Sequence, residues 1–207
     1  MQMKITDLEK NVGNFNLKID DLYIKPGLIH GLAGHNGSGK TVLLKLIMGI
    51  LEPDSGRIDL EGMDRRNMTM MSQRPYLLTG SVYDNIIYPL KLRKIKPVES
   101  KIDELLERTG LLAQRNQYAR SLSSGERQKL SFLRAIIFKP EFIIMDETLS
   151  NLDPESERAI VETIKGIQQT RPVTWLMVSH GQDVREELCD IIHYMEKGRI
   201  TDEVVKG

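Results

Sequence analysis

Eight consecutive residues decide the fold of this chain, and they read Gly34-His35-Asn36-Gly37-Ser38-Gly39-Lys40-Thr41. They fit the pattern G-x-x-x-x-G-K-[ST], in which backbone N–H groups surround phosphates, a lysine reaches the terminal phosphates and a hydroxyl takes Mg²⁺. An apolar run of strand length, residues 28–33, precedes the loop, and apolar residues at helical spacing follow it from Leu43 to Leu51. Because a helix N-terminus adds its dipole and free N–H groups to an anion site, this order predicts a nucleotide-phosphate site.

Composition narrows the possible functions. The 207 residues carry 29 Lys and Arg against 29 Asp and Glu, so no overall charge recruits nucleic acid or an anionic membrane. The single cysteine, Cys189, excludes an internal disulfide framework and is expected to be a small buried side chain in a reducing compartment. The first residues show no signal-peptide pattern, and no apolar run approaches the roughly 18 residues of a membrane span. We therefore expect any membrane role to depend on a partner.

The remaining pattern predicts an α/β fold with a mainly parallel sheet. Alternating apolar residues between Met3 and Ile24 predict an N-terminal antiparallel β subdomain, and residues 57–62 predict a further strand. The apolar runs 142–145 and 173–178 are typical of buried parallel strands that present polar residues at their carboxyl ends. Residues 191–200 predict a hairpin.

Residues 75–138 differ from the rest, because their apolar side chains recur every three or four positions and charge is more frequent. This change predicts a helical lobe inserted into one α/β core made of residues 1–74 and 139–207. The basic run 91–96 within it is interpreted as a solvated helix end or loop. Residues 1–207 are thus expected to form a single domain.

Two carboxylates, Asp146 and Glu147, follow the first of the two buried strands. A carboxylate at a strand end behind a P-loop is placed to hold Mg²⁺, and a second one beside it suits the orientation of an attacking water. The alternative is a solvated turn with two acidic residues. The P-loop in the same chain favours the functional interpretation.

A second candidate anion site precedes a long amphipathic helix, and its residues read Ser121-Leu122-Ser123-Ser124-Gly125-Glu126. Small residues let a backbone approach a ligand closely, and the helix N-terminus favours an anion. Taken alone, the stretch is a helix N-cap with a capping box from Ser123 to Glu126. Taken with the P-loop, it indicates a second phosphate-facing helix start.

With these motifs in this order, the chain resembles the ATP-binding subunit of ABC transporters over nearly its whole length. Residues 34–41 match the Walker A motif, and residues 122–126 match the LSGGQ signature. Residues 142–146 match Walker B, and residues 150–153 match the D-loop. Three single residues match the Q-loop glutamine, the catalytic glutamate and the switch histidine, namely Gln73, Glu147 and His180.

The resemblance implies a set of functional residues. Those assigned to the nucleotide are Gly34, His35, Asn36, Gly37, Ser38, Gly39, Lys40, Thr41, Val42, Gln73, Ser123, Gly125 and Asp153. Those assigned to Mg²⁺ are Thr41, Gln73 and Asp146, and those assigned to catalysis are Lys40, Glu147 and His180. In this implied mechanism the glutamate orients the attacking water and the histidine contacts the γ-phosphate.

The family's partners and location are implied in the same way. Two such chains bind head to tail, so that each ATP lies between Walker A of one chain and the signature of the other. ATP hydrolysis then drives a separate membrane permease. The chain is accordingly expected to be cytoplasmic, held on the inner face of the cell membrane by that permease, and to bind no nucleic acid.

The sequence departs from the family pattern at the signature and after the catalytic glutamate. Ser124 stands where the first signature glycine is usual, and Glu126 replaces the glutamine. Thr148 replaces the proline that usually follows the glutamate. The aromatic residue that stacks on adenine is expected near Asn11 or Val12, neither of which is aromatic. Phe15 and Tyr23 are the candidates to replace it.

The transported substrate has two interpretations. Residues 81–90 and the Asp-Glu-Thr run at 146–148 are similar to small bacterial cassettes associated with iron export, but residues 81–90 are also similar to oxyanion importers. Two further classes remain as alternatives: a soluble ABC-type ATPase of repair, translation or cofactor assembly, and an ordinary P-loop kinase or GTPase. The signature motif and the absence of an Asn-Lys-x-Asp sequence weaken the last of these.

Overall fold

The computed structural model describes residues 3–150, 152–178 and 186–206. The chain divides into two compact units. The first contains Met1–Met70, Glu141–Glu147 and Pro172–Gly207, and the second contains Met71–Pro140 and Thr148–Arg171. The predicted limits of an inserted lobe at residues 75 and 138 remain a prediction.

The strands of the described residues are β1 (Met3–Val12), β2 (Phe15–Ile24), β3 (Ile29–Ala33), β4 (Ser55–Asp59), β5 (Met68–Met71), β6 (Phe142–Asp146), β7 (Thr174–Val178), β8 (Ile191–Glu196) and β9 (Arg199–Val205). Their α-helices are α1 (Lys40–Ile47), α2 (Val82–Leu92), α3 (Glu99–Arg108), α4 (Ser124–Ile136) and α5 (Pro154–Thr170). Within this described part of the chain, no helix is long and apolar enough to cross a membrane.

An antiparallel sheet of order β2-β1-β4 forms the N-terminal part of the first unit. Buried and more exposed residues alternate along β1 and β2, as the sequence pattern predicts, except that the alternation shifts by one residue between Ile5 and Leu8 and between Ile19 and Leu22. Strand β4 ends at Asp59 instead of continuing to Gly62. Glu61 and Gly62 take φ angles of 43° and 85°, which turn the chain out of the extended conformation. The predicted N-terminal antiparallel subdomain is thus confirmed, with a shorter third strand.

The larger sheet has the order β5-β6-β7-β3-β8-β9. Strand β3 is parallel to both β7 and β8, and β6 is parallel to β7. Strands β8 and β9 form the predicted antiparallel hairpin. Because β3, β6 and β7 run in one direction, the residues that follow them lie at one edge of the sheet, where α/β proteins place their ligands.

An apolar cluster fixes α1 against the sheets of this unit. Leu43, Leu44 and Ile47 of α1 are fully buried together with Leu17 of β2 and Ile144 of β6. Burial of each such side chain contributes about 1.5–3 kcal/mol. The N-terminus of α1 is therefore held directly after the end of β3.

The second unit is helical. Helices α2 and α4 pack together, and α4 also packs on α5. Ser81 caps α2 in a capping box with Asp84, and hydrogen bonds from Ser81 lower the pKa of that carboxyl. The fully buried Asn85 accepts the backbone N–H of Leu78 at 2.9 Å and donates to the carbonyls of Leu78 and Ser81. The turn before α2 is therefore held by hydrogen bonds as well as by apolar packing.

Candidate functional site

The loop after β3, which carries the predicted phosphate site, needs glycine at two positions. Gly34 directly follows the strand with φ of 156°, and a Cβ there would lie 2.2 Å from the carbonyl oxygen of Met195. Gly39 is the N-cap of α1 with φ of 107°, and a Cβ there would lie 2.7 Å from Cζ of Phe15. A side chain is therefore excluded at both positions, and only glycine fits this loop conformation without a clash.

Lys40 folds back over this loop. Its Nζ donates to the carbonyl oxygen of Gly34 at 2.7 Å and to that of His35 at 3.0 Å, and the residue is only 6% exposed. These two carbonyl contacts hold the Lys40 side chain against the loop. The predicted phosphate ligand is thus positioned by the backbone of the same loop.

Ser38 carries a buried polar atom that supports the same function. Its Oγ has no hydrogen-bond partner among the described residues, although the side chain is buried. An unpaired buried hydroxyl costs free energy unless a ligand supplies its partner. The carbonyl of Ser38 accepts the backbone N–H of Gly198 at 2.9 Å, so the loop is also held by the β8–β9 turn.

The remaining loop residues divide between solvent and core. His35, Asn36 and Gly37 form an exposed tip, so they are accessible to a ligand. Val42 instead packs against the apolar cluster, so its side chain has a structural role. Its assignment to the nucleotide stays a prediction.

Two oxygen donors from the predicted Mg²⁺ site are in contact at the sheet edge. The hydroxyl of Thr41 donates to Oδ2 of Asp146 at 3.3 Å. Burial raises the pKa of Asp146, the hydrogen bond from Thr41 opposes this change, and the nearby Glu147 carboxylate adds to it. A hydroxyl and a carboxylate are oxygen donors of the kind that Mg²⁺ uses, so these residues fit the predicted metal. Among the described residues no group of three or more His, Cys, Asp or Glu could hold a metal by itself.

Glu147 leaves the sheet in an unusual conformation. Its φ is 53°, and its backbone N–H donates to the carbonyl of Val178 at 3.0 Å. A non-glycine residue rarely takes a left-handed conformation, and such strain is concentrated at functional sites. The predicted switch residue, His180, lies outside the described residues.

The second unit contains the predicted signature at the start of α4. The Oγ of Ser123 accepts the N–H of Glu126 at 3.2 Å, and Oε2 of Glu126 accepts the N–H of Ser123 at 2.8 Å. The glutamate that replaces the usual glutamine thus completes a capping box. The first N–H groups of any α-helix have no intrahelical partner, and such groups can bind an anion.

Gly125 allows α4 and α5 to meet. A Cβ at Gly125 would lie 3.0 Å from Oδ2 of Asp153 and 3.2 Å from Oγ of Ser156. Asp153 is the N-cap of α5, and its hydrogen bonds with Ser156 lower the pKa of its carboxyl. Two helix N-termini therefore lie close together within this unit. Each carries residues that were predicted to bind the nucleotide.

A cleft of 470 Å³ in the second unit places Gln73 near the same helix start. Its other lining residues include Ser124, Arg127 and Ser150. Gln128, also in the lining, donates from Nε2 to the carbonyl of Thr148 at 2.7 Å. Thr148, which replaces the usual proline, is thus buried, and its carbonyl is bound by a side chain of α4.

The predicted site residues therefore fall into two groups. Residues 34–42, Asp146 and Glu147 lie in the first unit, and Gln73, Ser123, Gly125 and Asp153 lie in the second. Met195 and Gly198, which contact the phosphate loop from the hairpin, were not predicted from the sequence. A Lys-Gly pair between two short strands predicts a turn, but nothing in it indicates which loop the turn contacts.

Two of the four residues considered for the nucleobase, Val12 and Phe15, differ in exposure. Val12 is 44% exposed beside the turn of the β1–β2 hairpin. Phe15 is partly buried, with its ring edge against Gly39. Of the two predicted aromatic candidates, Phe15 thus contacts the phosphate loop.

One family model and three relatives match this chain. A family model described as ABC transporter matches residues 17–150. The tungstate uptake system ATP-binding protein TupC of Peptoclostridium acidaminophilum is 34% identical over 207 residues, with 97% of each chain covered. The molybdate/tungstate import protein WtpC of Pyrococcus horikoshii is also 34% identical, but the chain spans 60% of its length. For a methionine import protein, MetN 2 of Paraburkholderia xenovorans, identity is 33% and the chain spans 51% of its length.

Solved structures have the same fold. A structure described as the ATP binding subunit of an ABC transporter matches 99% of this chain with a TM-score of 0.86 at 23% identity. The cbiO1 protein of Clostridium perfringens, described as part of the complex cbiONQ, matches 97% with a TM-score of 0.81 at 26% identity. TupC, WtpC and MetN 2 are described as uptake or import proteins, and none of these names supports the predicted iron efflux.

Proposed function

Because this chain belongs to the ABC transporter family, as an ATP-binding subunit with ATPase activity, we propose that it powers the uptake of a small oxyanion of the tungstate and molybdate class. The observation that carries this proposal is the match to a tungstate uptake subunit over 97% of both chains. The methionine importer extends well beyond the region it shares with this chain. The names of these relatives favour import of a solute over the efflux of iron.

The first unit supplies the groups that hold ATP. In this proposal the loop N–H groups and Lys40 bind the phosphates, and the Oγ of Ser38 gains the partner that it otherwise lacks. Thr41 and Asp146 would hold Mg²⁺, and Gln73 is assigned to that ion by the family pattern alone. When bound, that ion would neutralise charge that develops on the phosphate oxygens.

Glu147 would act on the water that attacks ATP. Its carboxylate follows Asp146 directly, so it would accept a hydrogen bond from the attacking water and orient it toward the γ-phosphate. His180 is assigned to the γ-phosphate by the family pattern alone. The N-terminus of α4, with Ser123 and Gly125, would close the site on the ATP of a second chain, and Asp153 would lie at the same contact.

The partners follow from family membership. Subunits of this family act as pairs of cassettes and work with a membrane permease. We place this chain on the inner face of the cell membrane, bound to that permease. The permease selects the solute, so the substrate class is tested in the assembled transporter.

The test is metal accumulation in source cells that lack this chain. We expect cellular tungsten or molybdenum to fall while iron and methionine uptake stay unchanged, with recovery from the wild-type chain but not from Glu147→Gln. The matched control is Glu162→Gln, an exposed carboxylate on α5, which should restore uptake. Raised iron with unchanged tungsten and molybdenum would overturn the proposal in favour of efflux, and no change in any solute would favour a soluble ATPase.

A further inference from the structure

The phosphate loop depends on contacts at its ends, because its tip lies in solvent. Residues 35–37 are exposed, whereas Ser38 is only 5% exposed. A loop that can take several backbone conformations loses entropy when a ligand orders it, and this loss weakens binding. The contacts at Ser38 and at the loop glycines therefore decide how well the loop N–H groups are directed before a nucleotide arrives.

The turn between β8 and β9 reaches the loop through one residue. The N–H of Gly198 donates to the carbonyl of Ser38 at 2.9 Å. The carbonyl of Gly198 accepts the N–H of Lys18, a residue of β2, at 2.8 Å. Gly198 thus joins the phosphate loop to the antiparallel sheet as well as to its own hairpin.

The conformation of this turn requires glycine at position 198. Lys197 and Gly198 have φ angles of 47° and 80°, and positive φ at both central residues is typical of a type I′ turn. A Cβ at Gly198 would lie 2.2 Å from the carbonyl oxygen of Asn16 in β2. Any other side chain would displace the turn from β2, and the bond to the loop would move with it.

The strand before the turn makes a second contact with the loop. The pairing of β8 with β9 shifts register between Tyr194 and Met195, and such bulges commonly redirect residues next to functional sites. The carbonyl oxygen of Met195 lies 2.2 Å from the position of a Cβ at Gly34, and its Cε lies 2.9 Å from the position of one at Gly39. Both ends of the loop are therefore packed against Met195.

The bond to Ser38 also fixes the direction of the next backbone N–H. A trans peptide is planar, so its C=O and N–H groups point in opposite directions. No peptide bond of the described residues is cis. Because the carbonyl of Ser38 points to the turn, the N–H of Gly39 points to the other side of the loop. Gly39 is the N-cap of α1, so this N–H lies at the positive end of the helix dipole.

We propose that Gly198 is a positioning residue of the nucleotide site: it holds the Ser38 carbonyl so that the Gly39 N–H is directed at the phosphates of a nucleoside di- or triphosphate. Met195 keeps the two ends of the loop in place. This role rests on the nucleotide site proposed above and does not depend on the transported solute. Because coupling between two contacts is reciprocal, a bound nucleotide also holds the turn more firmly.

The first test compares Gly198→Ala with Gly62→Ala. Gly62 has φ of 85° and open space around it, so both variants place alanine at a similar positive φ and only Gly198→Ala meets a backbone atom. We expect ADP to bind about ten-fold more weakly to Gly198→Ala, as the loss of a hydrogen bond to a charged group predicts. Gly62→Ala should match wild type. Affinity is measured by calorimetry on variants that urea unfolding shows to be folded, and equal ADP affinity in the two variants would overturn the proposal.

The second test needs no variant. Amide exchange of the wild-type chain is followed by NMR with and without saturating ADP. We expect ADP to slow exchange of the Gly198 N–H about ten-fold, although this group does not contact the nucleotide. The control is the N–H of Met63, which bonds the Leu60 carbonyl at 3.0 Å in another turn of the same unit and should be unaffected.

The outcomes separate this role from the nucleotide site itself. ADP binding with unchanged exchange at Gly198, or with equal slowing at Met63, would overturn the positioning role and leave the site intact. A wild-type chain that binds no ADP would overturn the nucleotide site, and the role of Gly198 with it.

Discussion

At the scale of single residues, the site depends on conformations that most side chains avoid. Glu147 takes φ of 53° immediately after the last residue of β6. The turn carries its carboxylate away from the strand direction, next to an aspartate that is bonded to Thr41. A pair of adjacent acidic residues can therefore have two roles, because only one of them continues the strand.

Glu147→Gln tests this division. The amide cannot accept a proton, so we expect ATP turnover to fall by ~10²-fold or more while ATP affinity is retained. Hydrolysis and equilibrium nucleotide binding are measured on the same preparation. Glu162→Gln serves as the control, and near-normal turnover in Glu147→Gln would remove this residue from its role.

The loop glycines provide a second test at this scale. Gly39→Ala places a Cβ 2.7 Å from Phe15, whereas Gly37→Ala, also at positive φ, meets nothing within 4 Å. Alanine at positive φ costs about 1 kcal/mol at either site, and only Gly39→Ala adds the clash. We expect ADP affinity to fall much further in Gly39→Ala than in Gly37→Ala. Equal losses in calorimetry would show that the clash has no effect.

At the scale of elements, helix N-termini carry many of the predicted site residues. The N-terminus of α1 faces the loop, and those of α4 and α5 meet at Gly125. In α4 the capping box uses a glutamate, so the departure from the family glutamine leaves the cap intact.

Ser123→Ala should remove this cap. We expect a loss of about 1 kcal/mol in the free energy of unfolding, measured in urea. Glu126→Gln is the matched change, since a glutamine oxygen still accepts the Ser123 N–H, and it should leave stability nearly unchanged. A larger loss in Glu126→Gln than in Ser123→Ala would show that the carboxylate charge, and not the cap, stabilises this helix.

Elements with strong local signals could be predicted from the sequence. The P-loop, the capping box at Ser123 and the apolar strand before Asp146 each depend on neighbouring residues, and the structure contains all three. The His30–His193 contact could not be predicted, because its partners are 163 residues apart and neither has a metal-binding pattern. The bracing of Ser38 by Gly198 was missed for the same reason.

At the scale of the whole molecule, the buried histidines make stability depend on pH. Their pKa values are about 4 in the folded chain and 6.5 ordinarily. The unfolded chain therefore binds more protons between these values, so their contribution is complete above pH 6.5 and is lost as the pH falls toward 4. Each histidine accounts for about 3 kcal/mol at most.

The corresponding test replaces both histidines with valine, which suits buried strands. Urea unfolding should show a much weaker loss of stability between pH 6.5 and 4.5 than in wild type. An unchanged pH dependence in the double variant would assign the acid sensitivity to other groups.

The central claim is that this chain is the ATPase of a membrane transporter. The most direct measurement is to purify it from gently solubilised membranes of its source, identify the bound proteins by mass spectrometry and assay ATP hydrolysis of the complex. We predict a multi-span permease in the complex and hydrolysis that Glu147→Gln abolishes. Recovery with soluble partners alone, with hydrolysis intact, would contradict the transporter assignment while leaving the ATP site in place.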